Sequence, residues 1–267
     1  MMTTFWSTHH GQSATTSNTV AVACAMAVLY PKKTLLVHTH TKRSTLEACL
    51  FPDRMMKGFD TGDFANHGMD ALFRLSKNGR LTGEMVPDYT WSILKDHKLD
   101  LLPGTEKNMM PEYSDESSFS QIFRAAEAYY KQVFVDLHSG LEMKGTLVLL
   151  QEAVQNIICL NQNEHLLDLY FQDKELRAQV EKSNTLFILS RYDPEVGVTP
   201  KSISRKYKIP LSRIMTIPYN SSFMQACNHG VAYDFISRHI LDGKSPEKAF
   251  MKEIQKLAEK LEEGMVS

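Results

Sequence analysis

The segment His9-His-Gly-Gln-Ser-Ala-Thr-Thr-Ser-Asn18 sets two imidazoles, a glycine and a run of hydroxyls directly ahead of a small-residue apolar stretch. Free backbone N–H groups and the dipole at the start of a helix favour phosphate, so a polar turn feeding a helix is an anion site in outline. Such a loop usually also carries a lysine for the terminal phosphates, in the pattern Gly-x-x-x-x-Gly-Lys-Ser/Thr. Here Ser13 and Ala14 stand at the Gly-Lys positions, and Thr15 follows. The chemistry to expect is phosphate held by amides and hydroxyls, without the cation that stabilises phosphoryl transfer. His38 and His40, Asp136 and His138 are further candidates, each at or just past the end of an apolar run.

The elements that must position these residues can be read from apolar periodicity. Met1 to Trp6 is apolar enough for the edge of a buried strand, and Thr19 to Leu29 reads as an Ala-rich helix packed closely on a sheet. Strands are expected at Thr34–His38, Leu99–Leu102, Gln132–Asp136, Asn156–Leu160, Thr185–Leu189 and Arg213–Ile217, alternating with helical stretches. That alternation predicts an α/β fold, a mostly parallel sheet covered by helices on both faces, spanning residues 1–267 as one domain. Residues 51 to 96 read as helices and loops around Gly58, Gly62 and Gly79, and 103 to 118 as a long surface loop. From Ser245, the spacing of Phe250, Ile254, Leu257 and Leu261 predicts a helix that docks on the body. In open parallel sheets ligands bind beyond the carboxyl ends of the strands, so the strand endings carry the functional weight.

Those endings resemble the ParA/MinD class of deviant Walker P-loop ATPases, from about Phe5 to the helix near Phe235. The family's first loop reads KGGxGKTT. His9 to Thr16 occupies that frame, with His9 at the signature lysine, Ala14 at the P-loop lysine, and Gly11 and Thr15-Thr16 kept. The family's second strand ends in an aspartate-rich turn, where this chain has His38-Thr39-His40. Val133-Phe-Val-Asp136-Leu-His-Ser-Gly140 resembles the strand and switch turn that follow. Leu189-Ser-Arg-Tyr-Asp193 resembles the Asn-Arg turn near the adenine, with Ser190 for the asparagine, and Ile217-Pro-Tyr-Asn220 resembles the late IP-x-x segment. The resemblance implies a nucleotide site built from His10, Gly11, Gln12, Ser13, Ala14, Thr15, Thr16, Asp136, Ser190, Arg191, Pro218 and Tyr219. It would take ATP or ADP with Mg²⁺, Asp136 holding the ion through water. Loss of the lysine and of the second-strand carboxylate implies weak or absent hydrolysis. Degenerate ParA-like proteins of the TadZ/CpaE kind position pilus or secretion assemblies in bacteria. The layout here is similar, and implies a protein partner and a homodimer of some kind.

Competing chemistries remain open at this level. If the ParA-like strand order holds, His9, His10, His38, His40 and His138 converge on one rim. There they can hold Zn²⁺ or a similar metal with Asp136 (His9, His38, His40 and His138 as ligands), contact phosphate, or simply hydrogen-bond loop carbonyls. An active ATPase or a metal-dependent enzyme would use this rim. Arg191, Lys201, Arg205, Lys206, Lys208 and Arg213 form the most basic stretch, which fits either a solvated face or non-specific DNA contact. Ser202 to Arg213 looks like a helix-turn-helix, but Pro210 and Ile214-Met-Thr-Ile217 point to a loop returning into a strand. Leu160-Asn-Gln-Asn163 offers amides to a ligand or serves as an ordinary turn. No GxSxG elbow is present, and Cys227 near His229 is the closest thing to a thiol pair with a base.

Composition bounds the rest. With 30 Lys and Arg against 31 Asp and Glu, the chain is not a general polyanion binder. The four cysteines are dispersed singletons, which suits a reducing cytoplasm. No apolar run approaches the roughly 20 residues that span a bilayer, and the first residues lack the pattern of an export signal.

Overall fold

The computed structural model describes residues 1–40, 44–52, 67–105 and 116–266. In chain order these residues form β1 (Met2–Trp6), α1 (Thr15–Leu29), β2 (Thr34–His38), α2 (Leu46–Leu50) and α3 (Gly68–Lys77). Next come β3 (Trp91–Leu94), β4 (Leu99–Leu102), α4 (Glu116–Tyr129), β5 (Gln132–Asp136), α5 (Lys144–Glu152) and β6 (Gln155–Leu160). The chain continues through α6 (Glu164–Gln172), α7 (Lys174–Val180), β7 (Leu186–Tyr192), α8 (Pro200–Tyr207) and β8 (Ile214–Pro218). It closes with α9 (Ser221–Asn228), α10 (Ala232–His239) and α11 (Lys248–Val266). The strands form one sheet in the order β3-β4-β2-β5-β1-β6-β7-β8, parallel throughout except for the β3–β4 pair.

Period-two alternation explains why both faces are covered. Leu36, Phe134, Ile157 and Ile188 point into one apolar cluster with α1, α2, α10 and α11, while Leu35, Val37, Val133, Val135, Ile158 and Phe187 point into another with α3 to α7. Helix α1 is buried continuously from Asn18 to Ala27, because its small side chains let it lie between the sheet and an outer layer of α10 and α11.

The strand expectations at Thr34–His38, Leu99–Leu102 and Gln132–Asp136 hold to the residue. The other three shift by a residue at the start, and β7 runs on to Tyr192. Strand β1 lies in the centre of the sheet, between β5 and β6, in keeping with the ParA-like strand order. Two departures have physical causes. Helix α1 begins at Thr15 rather than Thr19, since Thr15, Thr16 and Ser17 are polar because they face the cleft described below. Strand β3 was not expected: it is a four-residue antiparallel edge strand, joined to β4 by a turn in which Asp96 and His97 both take positive φ. The expected loop at 103–118 gives way to α4 at Glu116, and Gly58 and Gly62 lie outside the described residues. After α8 the chain makes a short 3₁₀ turn and enters β8, so no second helix follows it. Among the described residues, no helix is long and apolar enough to cross a membrane.

Candidate functional site

The carboxyl ends of β1, β2, β5 and β7 surround the first turn of α1. A cleft of about 550 Å³ opens there, lined by His10, Gly11, Ala14, Thr15, Thr16, Ser17, His40, Ser44, Thr45, His138, Ser139, Arg191 and Met224. Its floor is the helix N-terminus. The first helical hydrogen bond runs from Asn18 N–H to Ala14 O at 2.9 Å, which leaves the amides of Thr15, Thr16 and Ser17 without a helical acceptor. No side chain caps them. Ala14, at the N-cap, has φ 48° and ψ 34°, and Gly11 has φ +75°, so the loop turns through left-handed backbone on its way into the helix. The arrangement gives an anion three converging N–H groups and the positive end of a 15-residue helix.

The hydroxyls are tied to the strands behind. Thr15 Oγ1 donates to Ser7 Oγ at 3.2 Å, and Ser7 Oγ lies 3.0 Å from Ser139 Oγ. Thr16 Oγ1 donates to Asp136 Oδ2 at 2.6 Å, and His40 Nε2 meets the same oxygen at 3.1 Å. Asp136 is fully buried, and its other oxygen, Oδ1, has no partner. A buried carboxylate oxygen without a donor is costly. Oxygen ligands of this kind suit a hard divalent cation.

The strand order β2-β5-β1 brings His10, His38, His40 and His138 together as expected, whereas His9, expected on the same rim, does not line the cleft. The His40 ring lies 6.1 Å from His10, 5.7 Å from His138 and 5.5 Å from His38, and His10 stacks on His138 at 6.3 Å. They do not form a metal site: among the described residues no three His, Cys, Asp or Glu side chains converge to hold an ion. Each expected zinc ligand has its own partner. His9 Nδ1 bonds Thr8 Oγ1, His38 Nε2 bonds Glu47 Oε1 at 2.7 Å, His40 bonds Asp136, and His138 Nδ1 donates to Ser139 O at 2.8 Å. Burial holds His138 below the ordinary imidazole range; the Ser139 carbonyl opposes this, and neighbouring His40 and His10 add to it. Burial alone would lower His38 too, but the charge and hydrogen bond of Glu47, helped by Asp136, raise it.

Toward β7 and β8 the cleft narrows. Arg191 is exposed, with φ 51° at a register shift between Ser190 and Tyr192, and Ser190 is buried, accepting a hydrogen bond from Asn18 Nδ2 at 2.8 Å. Pro218 and Tyr219 border this end. Of the remaining loop residues, Ser13 is buried, and Gln12 is exposed and uses its carbonyl to receive Asn161 Nδ2. Among the described residues lining the cleft, Arg191 is the one Lys or Arg.

The basic stretch does not form a single face. Lys201, Arg205 and Lys206 sit on α8, and Lys208 caps it. Lys206 pairs with Asp168 at 2.8 Å, and Arg213 turns inward to the carbonyls of Thr185 and Lys182. Gln162 bonds Asp193 and Val198, and Asn163 caps α6, so these amides serve turns. All four cysteines are buried; burial pushes the Cys159 thiol up to about 12, and Cys49 is raised mainly by its hydrogen bond with Cys227.

Sequence reasoning did not single out Ser7, Ser139 or Glu47. Ser139 lay within the switch-turn segment. The signal for Glu47 was a lone carboxylate in the apolar run Leu46-Glu-Ala-Cys-Leu50.

Solved structures with the same architecture include a ParA family ATPase from Chlorobium tepidum TLS (TM-score 0.73, 20% identity, 96% of this chain and 98% of that one). A MinC:MinD cell division complex from Aquifex aeolicus aligns at TM-score 0.69 and 19% identity, over 98% of this chain and 96% of that one. The septum site-determining protein MinD from Pyrococcus horikoshii OT3, complexed with Mg-ADP, aligns at 0.68 and 17% over 98% of both chains. The fold is therefore the α/β architecture of ParA/MinD-like P-loop NTPases. No protein-family model matches the sequence, and no curated protein matches it.

Proposed function

We propose that this chain is a degenerate ParA/MinD-like protein that holds nucleotide phosphate at the start of α1, hydrolyses ATP weakly or not at all, and works by recruiting or positioning a protein partner in the bacterial cytoplasm. One observation carries the reading: the amide cradle is intact, while Ala14 stands in it where a lysine would meet the phosphates. Amides and the helix dipole can bind a diphosphate in the ground state. Without the lysine, and with His38-Thr39-His40 at the end of β2 instead of a carboxylate, little remains to stabilise a transferring phosphoryl group or orient water.

Mg²⁺ suits the site. Thr15, Thr16 and Asp136, with its unengaged Oδ1, would hold it through water, and its charge would offset that of the phosphates. The P. horikoshii MinD fold binds Mg-ADP, and the A. aeolicus MinD is seen with a protein partner, which supports both halves of the reading. Calorimetric titration of the protein with ATP and Mg²⁺ tests it, with Thr15→Ala as the control for occupancy of the loop. Binding that the variant loses, together with negligible phosphate release, is the expected result. A steady turnover that Thr15→Ala abolishes would refute it.

A further inference from the structure

At the end of the sheet away from the cleft, the strand register gathers lysines that are scattered in the sequence. Lys33, Lys98 and Lys131 immediately precede β2, β4 and β5. Thr34 is registered against Gln132 and Leu35 against Asp100, so one step toward the amino ends Lys33 stands between Lys131 and Lys98. The Lys131 N–H donates to the Lys33 carbonyl at 2.9 Å, which fixes the first of these neighbours. Lys95 extends the row where β3 ends, since Leu94 is paired with Leu99. Neighbouring strands lie about 4.8 Å apart, so the four lysines cross the ends of four strands over about 14 Å.

All four are exposed, and among the described residues none is paired with a carboxylate. Like charges side by side on adjacent strands repel each other. In a chain whose formal net charge is −1, such a row is not a by-product of composition. Its middle is anchored by an aromatic ring: Lys33 Nζ lies 3.8 Å from the centroid of Tyr129, which His97 meets edge-on at 5.5 Å. Asp100, two residues past Lys98, does not neutralise the row, because it is fully buried and receives Tyr130 and His97.

Carboxylates stand at the margins instead. Asp96 is exposed in the turn between Lys95 and Lys98, Glu127 meets the Met1 amino group at 3.3 Å, and Glu262 pairs with Lys32. A long, evenly charged polyanion would run over these groups, and like charges brought together disfavour that partner. Two or three carboxylates on a short segment meet the lysines alone.

We propose that the row Lys95-Lys98-Lys33-Lys131 is a docking surface for a short acidic segment of a protein partner. Strands of five residues, about 16 Å long, separate it from the cleft, so a partner held here leaves the first turn of α1 open. The surface is independent of the phosphate-binding reading and stands whether or not nucleotide binds.

Fluorescence anisotropy of a labelled decaglutamate peptide, titrated with the full chain at low salt, tests the proposal. A Gly-Ser peptide of equal length and a short DNA duplex are the comparisons. Decaglutamate should bind where the Gly-Ser peptide does not, and should weaken as salt rises. Lys33→Gln, Lys98→Gln and Lys131→Gln together should weaken it about tenfold or more, the loss of three exposed charge pairs. Arginine at the same three positions should retain binding, which separates loss of charge from loss of fold. Lys201→Gln with Arg205→Gln, on α8, should leave binding unchanged. No binding of decaglutamate, an equal loss in the α8 variant, or tighter binding of the duplex than of decaglutamate would each overturn the proposal.

Discussion

The buried pair between His38 and Glu47 gives the sharpest test of how the rim is built. His38 ends β2 with a side chain 2% exposed, and Glu47, 12% exposed, reaches it from α2 at 2.7 Å. Glu47 Oε1 also accepts the Gly104 N–H at 3.1 Å, so one carboxylate ties β2, α2 and the segment after β4. Removing one partner of a buried pair costs about 3–5 kcal/mol, because the other is left without compensation. Glu47→Ala should sit near the lower end, about 3 kcal/mol, since Glu47 is not wholly enclosed. The pH dependence identifies the cause. His38 has its folded pKa raised above the ordinary 6.5, so its contribution is complete below that value and is lost as pH rises through the raised one. Glu47 is lowered from 4.5, so its contribution is present above 4.5 and is lost as pH falls through the lowered value. The pair therefore stabilises most between 4.5 and 6.5, and the gap between wild type and variant should narrow at alkaline pH. Urea unfolding followed by circular dichroism, at about pH 6 and about pH 9, measures both gaps. Equal gaps at the two pH values, or none at pH 6, would show that charge pairing does not hold this corner.

Other outcomes follow from the same geometry. Ala14→Lys, which adds the missing cation at a residue lining the cleft, should tighten ADP binding about tenfold or more, as one charge-assisted hydrogen bond does; an unchanged affinity by calorimetry would place the phosphates elsewhere. In Gly104→Ala the new Cβ would fall 2.1 Å from His38 Cε1, so the variant should lose stability comparably to Glu47→Ala in urea, and a wild-type midpoint would contradict the packing. The four buried thiols should resist a thiol-specific disulfide reagent until the chain is unfolded, and rapid labelling of the native protein would show that Cys49 or Cys227 opens to solvent.

Much of this fold can be read from sequence where apolar alternation runs into a polar ending, as it does at Gln132–Asp136. There five residues fix a strand, its two faces and its functional tip. Trp91–Leu94 resisted because a short edge strand, half exposed on one side, has no alternation long enough to stand out. Convergence of the histidines was legible, since it needed only the strand order. Their chemistry was not, because it depends on which oxygen each ring finds. Glu47, Thr8 and the Ser139 carbonyl claim the rings that a metal would need, and none of these pairings shows in the spacing of the histidines themselves. The uncapped helix start was visible as a polar turn before an Ala-rich helix. Where that helix begins was obscured by the cleft, which keeps its first turn polar.

The central position of β1 has a consequence for the birth of the protein. Met2 is registered against Val133 and Thr3 against Gln155, so once β1 has been made its partner on one side follows roughly 130 residues later and its partner on the other side roughly 150. At about 5–20 residues per second, that leaves Phe5 and Trp6, both fully buried in the finished sheet, without their neighbours for roughly 8 to 30 s. For that interval β1 is an exposed apolar segment, which a chaperone can shelter until its neighbours arrive.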